Sequence, residues 1–435
     1  MLGHDPQELG FRPDFRAGEP SRLLLPSRIP GQMRSVLSDF LSSLGSDVQM
    51  RVEDISMPGS VDVATLELGR GSAHPGQDDS TGPHANGTSL SHGGGQADGD
   101  EHGEDGMDDM MAIVGEPSQD GLIVETLRIR CGPFGLPFPG GLAVDATLDG
   151  EIVCQVRIET LDAPEVFPAE VPEVPDPLAP VAWQMAIDFA RNSSFDEPGL
   201  VTRLELERAV SHLAWLRSLS RLLGWQKLTR KVAAVLAELI PVMRAINEAV
   251  PAVCGDRVQA CLERAESGTS RLIALLAADR ILACRLAGQG FVSPERAEEC
   301  GLSGPNARAS GLSKDRRTGR AVYERLGFEP LSESRGDAAA RTLLRAREAS
   351  QSLDLARRSL ICTAEEGGLP AGESAAVEGP RGGLLATPQP AGWTFHAPGA
   401  SAARQLAVET MTGRPWQDAL VILASFDISP WAADR

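Results

Sequence analysis

Gly301-Leu-Ser-Gly-Pro-Asn-Ala-Arg-Ala-Ser-Gly311, then Asp315-Arg-Arg317, then Tyr323-Glu-Arg-Leu-Gly-Phe328 is the run of sequence from which the architecture of this 435-residue chain is read. Its glycines punctuate short segments, because glycine tolerates the backbone angles of turns and helix ends. Just before it, Ser293-Pro294-Glu295 opens a short helix that Gly301 closes. Just after it, Gly336-Asp337 leads into a long helix to Leu360, with Leu344, Leu353 and Leu360 expected inward and its many arginines outward.

Moving upstream, the pattern stays helical. Asp196 can cap a helix that starts near Pro198, where Leu206, Val210, Leu213 and Leu216 share one face and Gly224 offers the stop. Further helices are expected from Gln226 to about Val250, kinked at Pro241, and from about Arg257 to Leu286. Downstream, the tail from Trp393 starts like a strand and continues as a helix near Ala403 to Met411.

Residues 111–162 read as a β unit. Leu122 to Arg130, Leu142 to Leu148 and Ile152 to Ile158 are strand-like, and the last two are joined at Asp149-Gly150, a two-residue hairpin signal. Between Gly71 and about Met110 the composition shifts to Gly, Ser, Asp, Glu and His with almost no aliphatics, so it reads as a flexible acidic linker. His74, His84, His92 and His102 stand in it and could hold Ni²⁺ or Zn²⁺ loosely, although a solvated spacer is the simpler reading. Residues 1–70 form a small unit with one helix-like and one strand-like stretch and no functional reading. Residues 163–435 make the helical core. The expected fold class is α+β, mostly α, with a small N-terminal antiparallel β unit.

Composition narrows the function. There are 41 basic against 60 acidic side chains, a formal net charge of -19, which argues against nucleic acid as a partner. Aliphatic residues must fill the core, because aromatics make up only 4%. No apolar run approaches the ~20 residues of a membrane span, and the start reads as cytosolic rather than secretory. The seven cysteines are scattered without a C-x-x-C pair, which speaks against a disulfide framework or a cysteine-ligated metal. Familiar hydrolase and nucleotide-binding motifs are absent, and Ser211 and His212, adjacent on a helix, point in different directions.

The opening series continues in order through Arg341, Arg345, Glu348 and Gln351-Ser-Leu to Phe426-Asp-Ile and Asp434-Arg435. In this it resembles the D-type subunit of bacterial respiratory complex I, the NADH:quinone oxidoreductase, itself similar to the large subunit of nickel–iron hydrogenases. The resemblance reaches upstream to Gly132-Pro133, to the hairpin at Leu148-Asp-Gly-Glu-Ile-Val, and to Leu206-Glu-Arg-Ala-Val-Ser-His-Leu. It implies a hydrogenase-large-subunit-like helical bundle over about Gly121 to Arg435. It also implies a scaffold or coupling subunit of an NADH- and quinone-linked electron-transfer complex, with no catalysis and no cofactor of its own. The implied partners are an iron–sulfur small subunit resembling the B-type subunit of complex I, which carries the cluster, and membrane-arm subunits. The implied place is cytoplasmic, peripheral on the inner face of the cell membrane. A metal-handling or accessory protein on a degenerate hydrogenase-like fold is the rival expectation.

Residue by residue, the resemblance carries over Glu207, His212, Arg308, Asp315, Arg345, Glu348, Asp427, Asp434 and Arg435 as coupling or interface candidates. Structural ion pairs are the plainer reading of each. The departures are equally informative. Where the family's hairpin loop offers a histidine to quinone, this chain has Phe134-Gly-Leu-Pro-Phe-Pro139-Gly, and its one tyrosine is Tyr323, elsewhere in the pattern. Such apolar side chains supply no proton donor, though an isoprenoid tail could still lie there. Ser429 and Ala432 stand near the hydrogenase's terminal thiolates and Gln184 to Arg191 near the earlier pair, so no Ni–Fe cluster is expected.

Overall fold

The computed structural model describes residues 21–26, 53–55, 63–68, 114–117, 123–131, 142–160, 176, 178–191, 198–247, 255–360, 376–390 and 392–430. His74, His84, His92 and His102, the loop containing Pro139, and Asp434 with Arg435 lie outside the described residues. The chain divides into two compact units, and everything from Leu127 onward belongs to one of them.

In the other unit, β1 (Ser21–Pro26), β2 (Glu53–Ile55) and β3 (Val63–Leu68) form an antiparallel sheet in the order β1-β3-β2. There too β4 (Val114–Pro117) pairs with the start of β5 (Ile123–Cys131).

The larger unit is mostly helical with small antiparallel sheets. β6 (Ala143–Asp149) and β7 (Ile152–Glu159) form the expected hairpin, but Asp149 pairs with Ile152, so the turn residues are Gly150 and Glu151. Of these two, Gly150 takes the positive φ, +59°. A register shift after Thr147 moves the turn one residue past the expected Asp149-Gly150.

Helices follow: α1 (Pro180–Ala190), α2 (Pro198–Leu222), α3 (Gln226–Asn247), α4 (Gly255–Ala278) and α5 (Arg280–Leu286). α3 runs through Pro241. The single helix expected over 257–286 is two, because Asp279 leaves the helical conformation and its carboxylate accepts the N–H of Leu282 to start α5. α6 (Pro294–Glu299) is capped by Ser293 as its sequence predicts, and α7 (Gly304–Ala309) and α8 (Ala321–Arg325) are equally short. α9 (Ala338–Ser359) begins at Asp337, whose carboxylate accepts from Ala340 N.

α2, α3, α4 and α9 pack against one another around Leu206, Leu213, Leu236, Leu262 and Leu353, all fully buried. Burying each such side chain contributes about 1.5–3 kcal/mol, which explains why aromatics are dispensable here. α9 departs from its reading in two ways. Leu360, just past its last turn, is 40% exposed. Arg341 and Arg345, expected outward, are fully buried, because α9 lies in the middle of the bundle and has little solvent face over that turn.

The tail holds more structure than its sequence advertises. β8 (Ala376–Gly379), β9 (Gly382–Gln389) and β10 (Gly392–His396) form a meander in the order β10-β9-β8. It packs on α1 through Trp183, Val377, Leu384 and Phe395. α10 (Ala400–Met411) and α11 (Trp416–Phe426) complete the fold. No described helix is long and apolar enough to cross a membrane.

Candidate functional site

α2 carries Glu205, Arg208 and His212, spaced so that they stack along one face. α9 presents Ser352, Glu348 and Arg345 with the same spacing. Arg308 comes from α7, Asp315 and Arg317 from the loop after it, Glu378 from β8, Arg381 from the β8–β9 turn and Asp427 from just past α11. They meet in one buried ionic network.

At its centre Glu348 accepts from Arg308 Nε at 2.6 Å and lies 3.5 Å from Arg208 Nη2 and 3.2 Å from His212 Nε2. Arg308 Nη1 also reaches Glu378 Oε1 at 2.8 Å and Asp315 Oδ2 at 3.0 Å. Arg208 Nη1 donates to the Gly379 carbonyl at 2.6 Å, tying the β8 strand to α2. On one side Glu205 accepts from Tyr323 Oη at 2.6 Å, Ser352 Oγ at 2.7 Å and Arg317 Nη1 at 3.1 Å. Arg317 in turn donates to Asp315 and stacks 4.1 Å from the Phe328 ring centre. On the other side Arg345 Nη1 lies 3.5 Å from His212 Nδ1 and donates to Asp427 Oδ2 at 3.0 Å, while Arg381 Nη2 donates to Asp427 Oδ1 at 3.1 Å. Asp427 takes the left-handed conformation, φ +51°, that turns its carboxylate between the two guanidiniums.

Burial and neighbouring charges shift several of these groups. Burial alone would neutralise Glu348, but Arg308, His212 and Arg208 together hold it well below the usual carboxylate range. Asp315 is likewise held low against burial, by Arg317 and Arg308. Burial lowers His212 to about 4, overriding the pull of Glu348, so its imidazole stays neutral at pH 7. Tyr323 is pushed well up by burial and by Glu205. Burial also lowers Arg345, whose Nε and Nη2 have no acceptor.

Of the sequence candidates, His212, Arg308, Asp315, Arg345, Glu348 and Asp427 converge here. Glu207 does not: it sits on another face of α2 and accepts the N–H groups of Val181 at 2.6 Å and Ala182 at 3.0 Å, capping α1 from outside. Burial pushes its pKa up to about 8 against those two bonds. Glu205, Arg317, Glu378 and Arg381 join the network without having been singled out by sequence, although Glu205 and Arg208 stand one helical turn apart and Glu378-Gly-Pro-Arg381-Gly-Gly has the form of a tight charged turn. Tyr323 is 3% exposed and its hydroxyl is held by Glu205, so it is not presented to a quinone. Ser429 Oγ donates to Asp176 at 2.7 Å.

Chemically, the network is a continuous chain of buried acids and guanidiniums linking two long helices to the C-terminal strands. A charge added or removed at one end changes the field at every other member, since screening inside is weak.

Known proteins similar to this chain include subunits of respiratory complexes. The fold matches that of a chain in the membrane-bound sulfane sulfur reductase, an archaeal respiratory membrane complex, with a TM-score of 0.60 and 21% identity over 71% of this chain and 98% of that one. The architecture is thus one used by a respiratory membrane complex. Residues 240–367 match the family described as respiratory-chain NADH dehydrogenase, 49 Kd subunit. The D-type subunit of the NADH-quinone oxidoreductase of Deinococcus radiodurans is 36% identical over 106 residues, 24% of this chain and 26% of that protein. The H-type subunit of the chloroplastic NAD(P)H-quinone oxidoreductase of Nephroselmis olivacea is 34% identical over 177 residues, 37% of this chain and 45% of that one. The D-type counterpart in Burkholderia cenocepacia is 41% identical over 88 residues, 20% and 21% of the two chains. The matched stretches therefore span less than half of these relatives. Over these stretches the chain is similar to the D-type subunit of complex I.

Proposed function

We propose that the chain acts as a scaffold and coupling subunit of a respiratory electron-transfer complex, docked peripherally on a membrane arm at the inner face of the cell membrane. Its partners are an iron–sulfur subunit, which carries the electrons, and membrane-arm subunits, which respond to its charge state. The observation that carries this reading is the buried network itself. Six of its members, Arg308, Asp315, Arg317, Arg345, Glu348 and Ser352, lie inside the segment that matches the 49 Kd subunit family. A buried ionic chain costs desolvation that apolar packing would avoid, so its presence favours a task beyond stability.

Quinone fits the described residues poorly as a ligand of this chain alone. Its one tyrosine is occupied by Glu205. The electron acceptor is then bound, if quinone, with donors from a partner. Mild-detergent purification of the tagged chain from its host, followed by mass spectrometry and metal analysis, tests the assignment. Co-purification of an iron–sulfur subunit and polytopic proteins, with iron present, is the expected result. Recovery of the chain alone would end it.

A further inference from the structure

Beside the ionic network, between the β8–β9 turn, the start of α10 and the segment after α11, lies a small cavity. Its volume is about 40 Å³, and its lining includes Asp176, Asn306, Arg381, Asp427 and Ser429 together with Gly382 and Gly383. That is room for a few waters or one small ion.

The lining is short of acceptors. Arg381 gives Nη2 to Asp427, but its Nε and Nη1 are shielded from solvent and have no acceptor. Behind Asp427, Arg345 leaves two more nitrogens in the same condition. Two guanidiniums thus share one carboxylate. The other acid, Asp176, has both oxygens engaged, by Leu178 N and Ser429 Oγ, and burial pushes it toward its neutral form. Asn306, 5% exposed, donates to the Phe426 carbonyl and leaves its own Oδ1 without a donor. Buried donors left unpaired are costly, more so when charged. Arg381 keeps 17% of its side-chain surface exposed, so the cavity has an entrance.

The geometry points to a binding site for a small planar monovalent oxyanion of formate or bicarbonate size, held by Arg381 and touching Asn306. Acceptor oxygens satisfy the guanidinium, and the added negative charge balances the second arginine. A guest with its own O–H, such as bicarbonate, also supplies the donor that Asn306 Oδ1 lacks. This assignment is independent of the electron-transfer role and survives its failure.

The test is thermal unfolding of the full-length chain in sodium bicarbonate, sodium formate and the bulkier sodium gluconate at constant ionic strength. Saturable stabilisation by the two small anions but not by gluconate is expected, about 1.5–2 °C at ten times Kd. Arg381→Met removes the donors, and Ala403→Leu fills the cavity while leaving every charge in place. Both should abolish the effect. If Arg381→Met does not fold, Ala403→Leu decides alone. Equal stabilisation by gluconate, or a bicarbonate effect that persists in folded Ala403→Leu, overturns the assignment. A crystal structure grown in bicarbonate with only water in the cavity does the same.

Discussion

Arg308 Nε stands 2.6 Å from Glu348 Oε1, and neither side chain is more than 1% exposed. Around this pair are gathered three further charges, Arg208, Asp315 and Glu378. Removing one member of such a pair leaves the other buried and uncompensated, which costs about 3–5 kcal/mol. Glu348→Gln should therefore lower the unfolding midpoint in urea sharply with m unchanged. Arg308→Met in the Glu348→Gln background should recover part of the loss, giving a non-additive cycle. The pH sign follows from Glu348 being held low. Its contribution is full above the unfolded value near ~4.3 and fades as pH falls toward the lower folded value. Additive single-variant effects would refute the pairing.

His212 has the opposite chemistry and the same direction in acid. Burial, with Arg345 and Arg208 nearby, lowers it to about 4 although Glu348 pulls it up. The unfolded imidazole takes its proton near ~6.5 and the folded one only near 4. Stability is therefore complete above pH ~6.5 and falls as pH drops toward 4, by about 3 kcal/mol in all. His212→Gln should flatten the stability–pH curve in that window. Titration of the His212 ring by NMR above pH 6 would contradict it.

How much of this is legible in the sequence depends on what kind of signal each part leaves. Asp337 and Ser293 cap helices through short local hydrogen bonds, so their spacing along the chain is enough. Leu206, Val210, Leu213 and Leu216 are buried as their periodicity requires. The arginines of α9 mislead, because a charged residue on a helix is ordinarily a solvated one. Only the approach of α2 carrying His212 and of Asp427, 82 residues further on, makes room for a buried Arg345. Glu378 and Arg381 belong to a hairpin whose strand β8 is four residues long, too short to show alternation. Glu207 shares the resemblance of the other candidates but not their setting: five residues before His212 on α2, it falls about 140° round the helix from it.

At Gly304 the helical core packs closely against the C-terminal meander. The glycine's φ is +63°, and a Cβ placed there would lie 2.3 Å from the Arg381 carbonyl oxygen. Both the left-handed backbone and the contact with main chain forbid a side chain. Gly304→Ala should destabilise by more than the ~1 kcal/mol of an ordinary glycine substitution. It should also displace the turn that holds Arg381 against Asp427. Hydrogen exchange would show this as faster exchange confined to β8 and β9. A variant with unchanged Tm and unchanged exchange would show that the contact is looser than its geometry.

Glu207 supplies the alkaline counterpart of His212. Its carboxyl accepts two N–H groups at the start of α1, an arrangement that favours the anion, yet burial dominates and raises it to about 8. A raised acid stabilises the fold fully below its unfolded value of ~4.3. That contribution is lost as pH rises through the folded value, because the unfolded carboxyl ionises first. The stability of the chain should thus decline between about pH 4.3 and 8, against the rise that His212 produces up to pH ~6.5. Glu207→Gln should reduce the decline and leave the acid limb intact, while His212→Gln does the reverse. Urea midpoints measured every half unit of pH for the parent and both variants separate the two limbs. If Glu207→Gln leaves the slope above pH ~6.5 unchanged, its carboxyl is ionised in the folded state, and the N–H groups of Val181 and Ala182 outweigh its burial.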